Sequence, residues 1–345
     1  MGRAVLIALF TASTLAACGD PLVVVGDLPG FMRIVVGVPD SAGTTVDPQA
    51  GRTRLFTPSA VALGDSGRVL YVADQRGRVL RITSTGQAEE ILNHNGCTGS
   101  TCLRRPQGMT YHNNGLLIAD DLANRVWRLD LTTRFLTPFA GNGNNAVSPD
   151  GLTASQASLF GPNDVKLLPD GRVLIAEFNS NSIRVVGGDG VLRTFAAGLD
   201  LPAGIAVGGN SVYVSQLGAD NVVELGLDGG LLRVVAGTGQ PGFSGDGGPA
   251  TAAALFAPRF LALAAENLYI SDRDNHRVRA VNLQTGIITT FAGTGSTAFN
   301  GSGRAAAETA LRLPAGLAFS QYGFLFIVDQ GHHIVWRTPV RAAVL

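Results

Sequence analysis

The chain has 345 residues, with 26 basic and 26 acidic side chains and a formal net charge of zero. An electrostatic nucleic-acid binder needs a cationic surface, so this balance argues against that class. Apolar residues make up 46% of the chain and charged residues 15%, which argues against disorder and allows a large core. With 45 glycines and 16 prolines, the composition favours many turns and excludes a helical bundle.

Residues 1–17 are predicted to form a signal peptide. Arg3 supplies a positive start, and the apolar run over 4–15 is too short to span a bilayer. The Leu-Ala-Ala-Cys sequence that ends at Cys18 resembles a bacterial lipobox. This resemblance implies cleavage before Cys18 and lipid attachment to it, with 18–30 serving as a tether. It predicts a lipid-anchored protein of the bacterial cell envelope, held on a membrane outside the cytoplasm.

Two further cysteines, Cys97 and Cys102, lie in a short glycine-containing segment. An even pair in an oxidising compartment predicts a disulfide that staples a loop. The alternative is half of a zinc site, but the sequence holds no second cysteine pair to complete four ligands.

One sequence unit recurs six times along the chain. Each copy begins with Leu-x-x-Pro and continues with an apolar strand, a turn and a second apolar strand that ends in an acid or an amide. The prolines are Pro58, Pro106, Pro162, Pro202, Pro258 and Pro314, and the strand-ending residues are Asp74, Asp120, Glu177, Gln216, Asp272 and Asp329. The second strands are continuous apolar runs, which predicts burial on both faces. Four short strands in each of six units predict a β-propeller.

The last unit lacks a fourth strand, and the N-terminal region supplies a candidate. In four units a strand-ending glycine follows the acid or amide by 21 positions, which in the sixth unit would fall beyond Leu345. Residues 31–37 resemble that missing strand, and Gly37 precedes Pro58 by the same 21 positions that separate Gly141 from Pro162. We therefore expect the N-terminal strand to pair beside Val335 and Trp336 and to close the ring.

The units resemble NHL repeats, which form six-bladed propellers. The resemblance rests on the Pro-x-Gly entries at 106–108, 202–204 and 314–316 and on the Asn-His-Arg-Val-Arg sequence at 275–279. It implies an all-β, six-bladed propeller of four-stranded antiparallel blades over residues 31–345. It implies no single activity, since propellers serve as lyases, hydrolases, sensors and adaptors.

Residues just after each proline are expected to converge on one rim of the propeller, near the ends of the second strands. Asn163, Asp164 and Arg259 are the main candidates for ligand contact, with Gln107 and Ser59 as lesser ones. The alternative is that they only hold neighbouring loops by hydrogen bonds.

No cofactor is expected, and no catalytic or metal-binding residue is assigned. Five acids at one repeat position suggest a calcium cage, but repetition favours acceptors for backbone N–H groups of the following turn. The five histidines do not occupy equivalent rim positions, which argues against a three-histidine zinc site. Calcium at Asn163, Asp164 and Glu177, the kind of site that gluconolactonase-like propellers use, remains the alternative, although these three residues belong to one blade.

These observations predict a monomeric, membrane-tethered binding or scaffold module rather than an enzyme. Its partner is expected to be an extracellular or periplasmic protein, peptide or glycan, recognised at the rim. The alternative function is a metal-assisted lyase or lactone hydrolase at the channel mouth, by analogy of fold alone.

Overall fold

A computed structural model describes residues 31–94 and 99–340 of the chain. This part is all-β: six four-stranded antiparallel sheets form the blades of a propeller, as the repeats predict. The first strand of each blade contacts the first strand of the next, and the sixth contacts the first, so these strands surround a central channel.

The strands follow one another in regular order. β1 (Arg33–Gly37) is the first strand of the described residues. Blade 1 contains β2 (Pro58–Gly64), β3 (Val69–Asp74), β4 (Arg78–Thr83) and β5 (Ala88–Asn93). Blade 2 contains β6 (Pro106–His112), β7 (Gly115–Asp120), β8 (Arg125–Asp130) and β9 (Leu136–Ala140). Blade 3 contains β10 (Pro162–Leu167), β11 (Val173–Glu177), β12 (Ser182–Val186) and β13 (Leu192–Ala197).

The second half of the ring repeats this arrangement. Blade 4 contains β14 (Pro202–Gly208), β15 (Ser211–Gln216), β16 (Asn221–Gly226) and β17 (Leu231–Ala236). Blade 5 contains β18 (Pro258–Ala264), β19 (Asn267–Asp272), β20 (Arg277–Asn282) and β21 (Ile288–Ala292). Blade 6 contains β22 (Pro314–Phe319), β23 (Phe324–Asp329) and β24 (Ile334–Pro339), and β1 completes it. The helical turns are Ala50–Arg52, Asp65–Gly67, Phe178–Ser180, Ala250–Ala252 and Ala306–Glu308.

β1 closes the ring by pairing with β24, which confirms the expectation from the repeat spacing. Ile34 lies opposite Trp336, and Gly37 lies opposite Ile334. Gly37 has a φ of +107°, and a Cβ there would lie 2.4 Å from the carbonyl oxygen of His333. Only glycine fits this close approach of two backbones, and the same close approach explains Gly141, Gly237 and Gly293 just after three other fourth strands.

A buried side chain at the end of each second strand fastens the preceding connector. The side-chain oxygen accepts a hydrogen bond from the backbone N–H of the residue two positions before the blade's proline, with N–O distances of 2.6 to 3.2 Å. These pairs are Phe56 to Asp74, Arg104 to Asp120, Phe160 to Glu177, Asp200 to Gln216, Phe256 to Asp272 and Arg312 to Asp329. We call these contacts the latches.

The latches confirm that the repeated acids accept backbone N–H groups and correct the identity of the donors. The following turn was expected to supply them, but it contributes only additional bonds, such as Arg76 N to Asp74 and Ala123 N to Asp120. The difference arises because the end of the second strand lies beside the start of the first, where the connector enters the blade.

Parts of the sequence interpretation lie outside the described residues. Residues 1–30, with Cys18, and Cys97 are among them, so the signal peptide, the lipid anchor and the disulfide stay predictions. Cys102 is buried. Over 31–94 and 99–340, no helix is long and apolar enough to cross a membrane.

The latch of blade 6 contains an imidazole placed to carry a positive charge. The fully buried His332 directs Nδ1 to Asp329 Oδ2 at 2.8 Å and Nε2 to the carbonyl oxygen of Thr297 at 2.9 Å. Both partners are acceptors, so both ring nitrogens donate when the imidazole is protonated. Burial alone lowers the pKa of His332, but the hydrogen bond and charge of Asp329 outweigh it and raise that pKa.

This contact predicts a pH dependence of stability. Because the pKa of His332 is higher in the folded than in the unfolded chain, its stabilisation is complete below about pH 6.5 and is lost as the pH rises through the folded-state pKa. We expect His332→Gln to cost about 1–2 kcal/mol at pH 6 and less at pH 9, measured by denaturant unfolding. The half-buried His112, changed to Gln, is the control, because burial and Arg128 lower its pKa and its replacement should therefore not cost more at pH 6 than at pH 9. An equal cost at both pH values would contradict the assignment.

Candidate functional site

The starts of the first strands and the ends of the second strands meet at one mouth of the channel, as the repeats predict. A cavity of about 230 Å³ opens there between blades 2 and 5. It is lined by Asp121, Gly161, Asn163, Phe178, Asn179, Leu217, Arg259 and Arg273, and we call it the rim pocket.

A chain of hydrogen bonds crosses the channel mouth beside this pocket. Arg259, the second residue of β18, extends from blade 5 to the opposite blade 2, where its Nη2 lies 2.5 Å from Gln107 Oε1. Gln107 Nε2 donates to Asp121 Oδ2 at 3.0 Å, and Asp121 Oδ1 accepts from Arg105 Nε at 2.7 Å. Arg259 thus reaches a carboxylate only through a neutral amide.

The electrostatics of the mouth favour a negatively charged occupant. Arg259 lies deep in the mouth, and burial, together with the nearby Arg273 and Arg105, lowers its pKa to about 10, so it stays charged at neutral pH. No carboxylate of the described residues forms an ion pair with Arg259. Arg273 donates from Nη1 to Asp274 at 2.6 Å, but its buried Nε has no hydrogen-bond partner. Guanidinium groups with unused donors are suited to bind carboxylate or phosphate oxygens.

Three of the candidate residues come together at this pocket. Arg259 and Asn163 line it, and Gln107 holds the Arg259 guanidinium. Asn163 also donates from Nδ2 to the carbonyl oxygen of Ala203 in blade 4 at 2.6 Å. It therefore combines a place in the pocket with the inter-blade hydrogen bond that the alternative interpretation expects.

The other two candidates, Ser59 and Asp164, lie in contacts between blades. The buried Ser59 donates its hydroxyl to the carbonyl oxygen of Pro106 at 2.6 Å. Asp164 is fully buried, accepts from Ile205 N at 2.9 Å and pairs with Lys166 Nζ at 2.8 Å. Both side chains join neighbouring first strands, so their geometry matches the alternative of loops held by hydrogen bonds.

Six residues that line the pocket were not identified from the sequence, and four of them share one repeat position. Asp121, Phe178, Leu217 and Arg273 each directly follow a latch residue. The equivalent residues in blades 1 and 6 are Gln75 and Gln330. This position varies in charge and size from blade to blade, as the positions just after the prolines also do, so a comparison of the six repeats could have identified it.

The proposed calcium ligands are engaged in other contacts. Glu177 accepts from Phe160 N at 2.8 Å and pairs with Arg184 at 3.2 Å, while Asp164 pairs with Lys166. Over the described ranges, no three His, Cys, Asp or Glu side chains are grouped closely enough to hold a metal ion.

Comparison of the sequence with known proteins finds relatives at low identity, and no family model matches the chain. The chain is 25% identical over 327 residues to Protein SUPPRESSOR OF QUENCHING 1, chloroplastic, of Arabidopsis thaliana, covering 84% of this chain and 31% of that protein. It is 23% identical over 333 residues to NHL repeat-containing protein 2 of Gallus gallus, covering 81% and 46%. The chain thus spans less than half the length of these relatives.

Comparison with solved structures finds propellers of several kinds. An auxiliary nutrient binding protein from Bacteroides thetaiotaomicron matches with a TM-score of 0.67 and 17% identity over 89% of this chain and 75% of that one. A gluconolactonase from Xanthomonas campestris matches with 0.60 and 17% over 90% and 89%. Virginiamycin B lyase from Staphylococcus aureus matches with 0.52 and 14% over 82% and 95%. At these identities the matches establish the fold alone.

The pocket predicts an unusual effect of removing the partly buried charge of Arg259. Arg259→Met removes a partly buried guanidinium that pairs directly with no carboxylate of the described residues and that Arg273 repels, so we expect unchanged or increased stability, by up to about 1 kcal/mol. Arg184→Met is the matched control, because it leaves the buried Glu177 without its ion-pair partner and should cost about 3 kcal/mol. Denaturant unfolding of both variants measures the difference. A cost for Arg259→Met as large as that of the control would contradict the prediction.

Proposed function

Because the chain is an NHL-repeat six-bladed β-propeller, we propose that it is a binding module whose rim pocket takes an anionic group of its ligand. The ligand is an acidic small molecule, or an acidic residue of an extracellular or periplasmic protein, peptide or glycan. The observation that carries this proposal is the partly buried Arg259, which lines the pocket and whose guanidinium donates to Gln107 instead of to a carboxylate.

The size and composition of the pocket support recognition of a group rather than of a large molecule. A volume of 230 Å³ corresponds to roughly eight water molecules. That space holds a carboxylate or phosphate with a few attached atoms. Asn163 and Asn179 add amide groups beside the guanidinium groups, and Phe178 adds an apolar wall. A larger ligand would place its remaining atoms over the surrounding loops of the mouth.

The solved neighbours are compatible with a binding role. Two of them, from Bacteroides thetaiotaomicron and Bacteroides ovatus, are described as auxiliary nutrient binding proteins. For the present chain, the absence of a complete catalytic constellation from the pocket favours binding over catalysis.

A matched pair of sugars tests the anionic specificity. We expect galacturonic acid to bind at least about tenfold more tightly than galactose in isothermal titration calorimetry, and to weaken as salt rises. Arg259→Gln should abolish the preference, because it removes the charge but retains a polar side chain. Arg193→Gln, which changes an exposed arginine on β13, should leave it intact.

Three results would count against this function. Equal binding of the acid and the neutral sugar would contradict the anionic specificity, as would a preference that survives Arg259→Gln. Failure of galacturonic acid, acetate and inorganic phosphate alike to bind would remove the anionic site altogether. Stoichiometric calcium or zinc that resists dialysis, found by elemental analysis, would favour the metal-assisted lyase or lactone hydrolase instead.

We also propose that the module is tethered to a membrane of the bacterial envelope through lipid on Cys18. The support is the signal-like sequence that precedes this cysteine. Cells grown with radiolabelled palmitate should label the protein, and Cys18→Ser should abolish labelling and release the protein from the membrane fraction. Cys102→Ser is the matched control. Labelling that persists in Cys18→Ser would contradict the tether.

A further inference from the structure

In four blades, the exposed edge of the outermost strand is covered by a connector of the chain itself. In blade 3, Gly151 N donates to Leu192 O at 3.0 Å, and Leu192 N donates to Leu152 O at 2.9 Å. Blade 5 repeats this pairing between 247–248 and Ile288, at 2.8 and 3.1 Å. Connectors also reach the outer strands of blades 1 and 6, through Ala88 N to Pro48 O and Met32 N to Arg304 O.

A connector aspartate anchors the covering segment in blades 3 and 5. In blade 3, Asp150 accepts from Thr194 Oγ1 at 2.9 Å and from Arg184 Nη2 at 3.0 Å. In blade 5, Asp246 takes the same two bonds from Thr290 and Arg279. The threonine and arginine lie opposite each other on the fourth and third strands in both blades. The edge thus recognises a connector by main-chain pairing and by one acidic side chain.

Blade 4 lacks both the connector and the acid-binding pair. Only residues 198–201 separate β13 from β14, and within the described residues no connector contributes a hydrogen bond to the edge of β17. Val223 and Val234 lie opposite each other where blades 3 and 5 have arginine and threonine. The latch residue of this blade is Gln216 instead of an acid. Blade 4 thus lacks the latch acid, the arginine and the threonine that blades 3 and 5 share.

The uncovered strand presents apolar side chains to solvent. Leu231, Leu232 and Val234 are 65%, 60% and 40% exposed. An apolar edge strand is an aggregation hazard that proteins commonly block with proline or charge. Blade 2 does so, because Pro138 of β9 lies opposite Trp127, at the position that corresponds to Val234. β17 has no proline, and its one charged side chain, Arg233, is paired with Glu224.

We propose that β17 is a docking edge for an extended segment of a partner protein. The segment pairs with β17 as the connectors pair with β13 and β21, and it carries an apolar side chain where those connectors carry Asp150 and Asp246. Main-chain hydrogen bonds supply affinity in such strand addition, and the side-chain positions supply specificity. In blade 4, Val223 and Val234 replace the arginine and the threonine that bind the connector aspartate in blades 3 and 5. An acidic residue of the partner segment would therefore be buried here without hydrogen-bond partners, so the edge disfavours it. This surface lies on the outer side of blade 4, away from the rim pocket.

Two peptides of the chain's own sequence test this assignment. One copies residues 147–156, the connector over blade 3, and the other carries Asp150→Leu. With the full protein and dye-labelled peptides, we expect fluorescence anisotropy to show at least about tenfold tighter binding of the leucine form. Leu232→Lys on β17 should weaken that binding at least about tenfold, and Val234→Thr should reduce the preference for leucine. Thr137→Lys on β9 is the matched control and should leave binding unchanged.

Other results would overturn the proposal. Binding that is insensitive to Leu232→Lys and to Val234→Thr would place the peptide elsewhere, as would equal affinity for the two peptides. No binding of either peptide up to about 1 mM would show that the edge does not accept a strand. Sedimentation that reveals a dimer of the unmodified protein, converted to a monomer by Leu232→Lys, would identify a second copy as the occupant in place of a partner segment.

Discussion

Each blade is held at its inner corner by a side chain that is removed from water and satisfied by backbone N–H groups of the incoming connector. Five of these six latches use a carboxylate. Third-strand donors, such as Arg184 beside Glu177 and Trp336 beside Asp329, complete them. Charge-assisted hydrogen bonds of this kind contribute about 1.5–3 kcal/mol each, and an orphaned buried carboxylate costs more. The connector therefore has one position, which fixes where each blade begins.

The fixed latches leave the neighbouring positions free to vary. A residue that follows a latch residue is carried to the channel mouth whatever its chemistry, because the backbone there is already held. Asp121, Phe178 and Arg273 occupy equivalent places with an acid, an aromatic ring and a base. The repeated residue of the unit thus maintains the scaffold, while the unrepeated residue beside it builds the pocket. Arg259 fits this division, since its partly buried guanidinium bonds to Gln107 and not to a latch residue.

The fold could be predicted from spacing because landmark residues recur at offsets that only a ring of equal blades explains. Ring closure followed from the same offsets, and Ile34 lies opposite Trp336 as expected. Side-chain directions at the rim could not be predicted in this way. The pairing of β10 with β11 shifts register between Pro162 and Asp164, so a bulge re-aims the residues just after the proline. Asn163 then lines the pocket while its neighbour Asp164 joins two blades. A register shift follows the proline of every blade, but the spacing of the repeated residues does not show which way the side chains point.

The lengths of the connectors can be read from the sequence, but their role becomes clear only from the structure. The proline-to-proline distance shortens before blade 4, from Pro162 to Pro202, because the segment that covers other outer strands is absent there. Blade 4 differs from blades 3 and 5 in more than the missing connector. It also has Gln216, Val223 and Val234 where those blades have an acid, an arginine and a threonine. If the uncovered edge of blade 4 faced only solvent, we would expect polar side chains on its outer strand. The apolar residues at Leu231, Leu232 and Val234 favour burial against another chain.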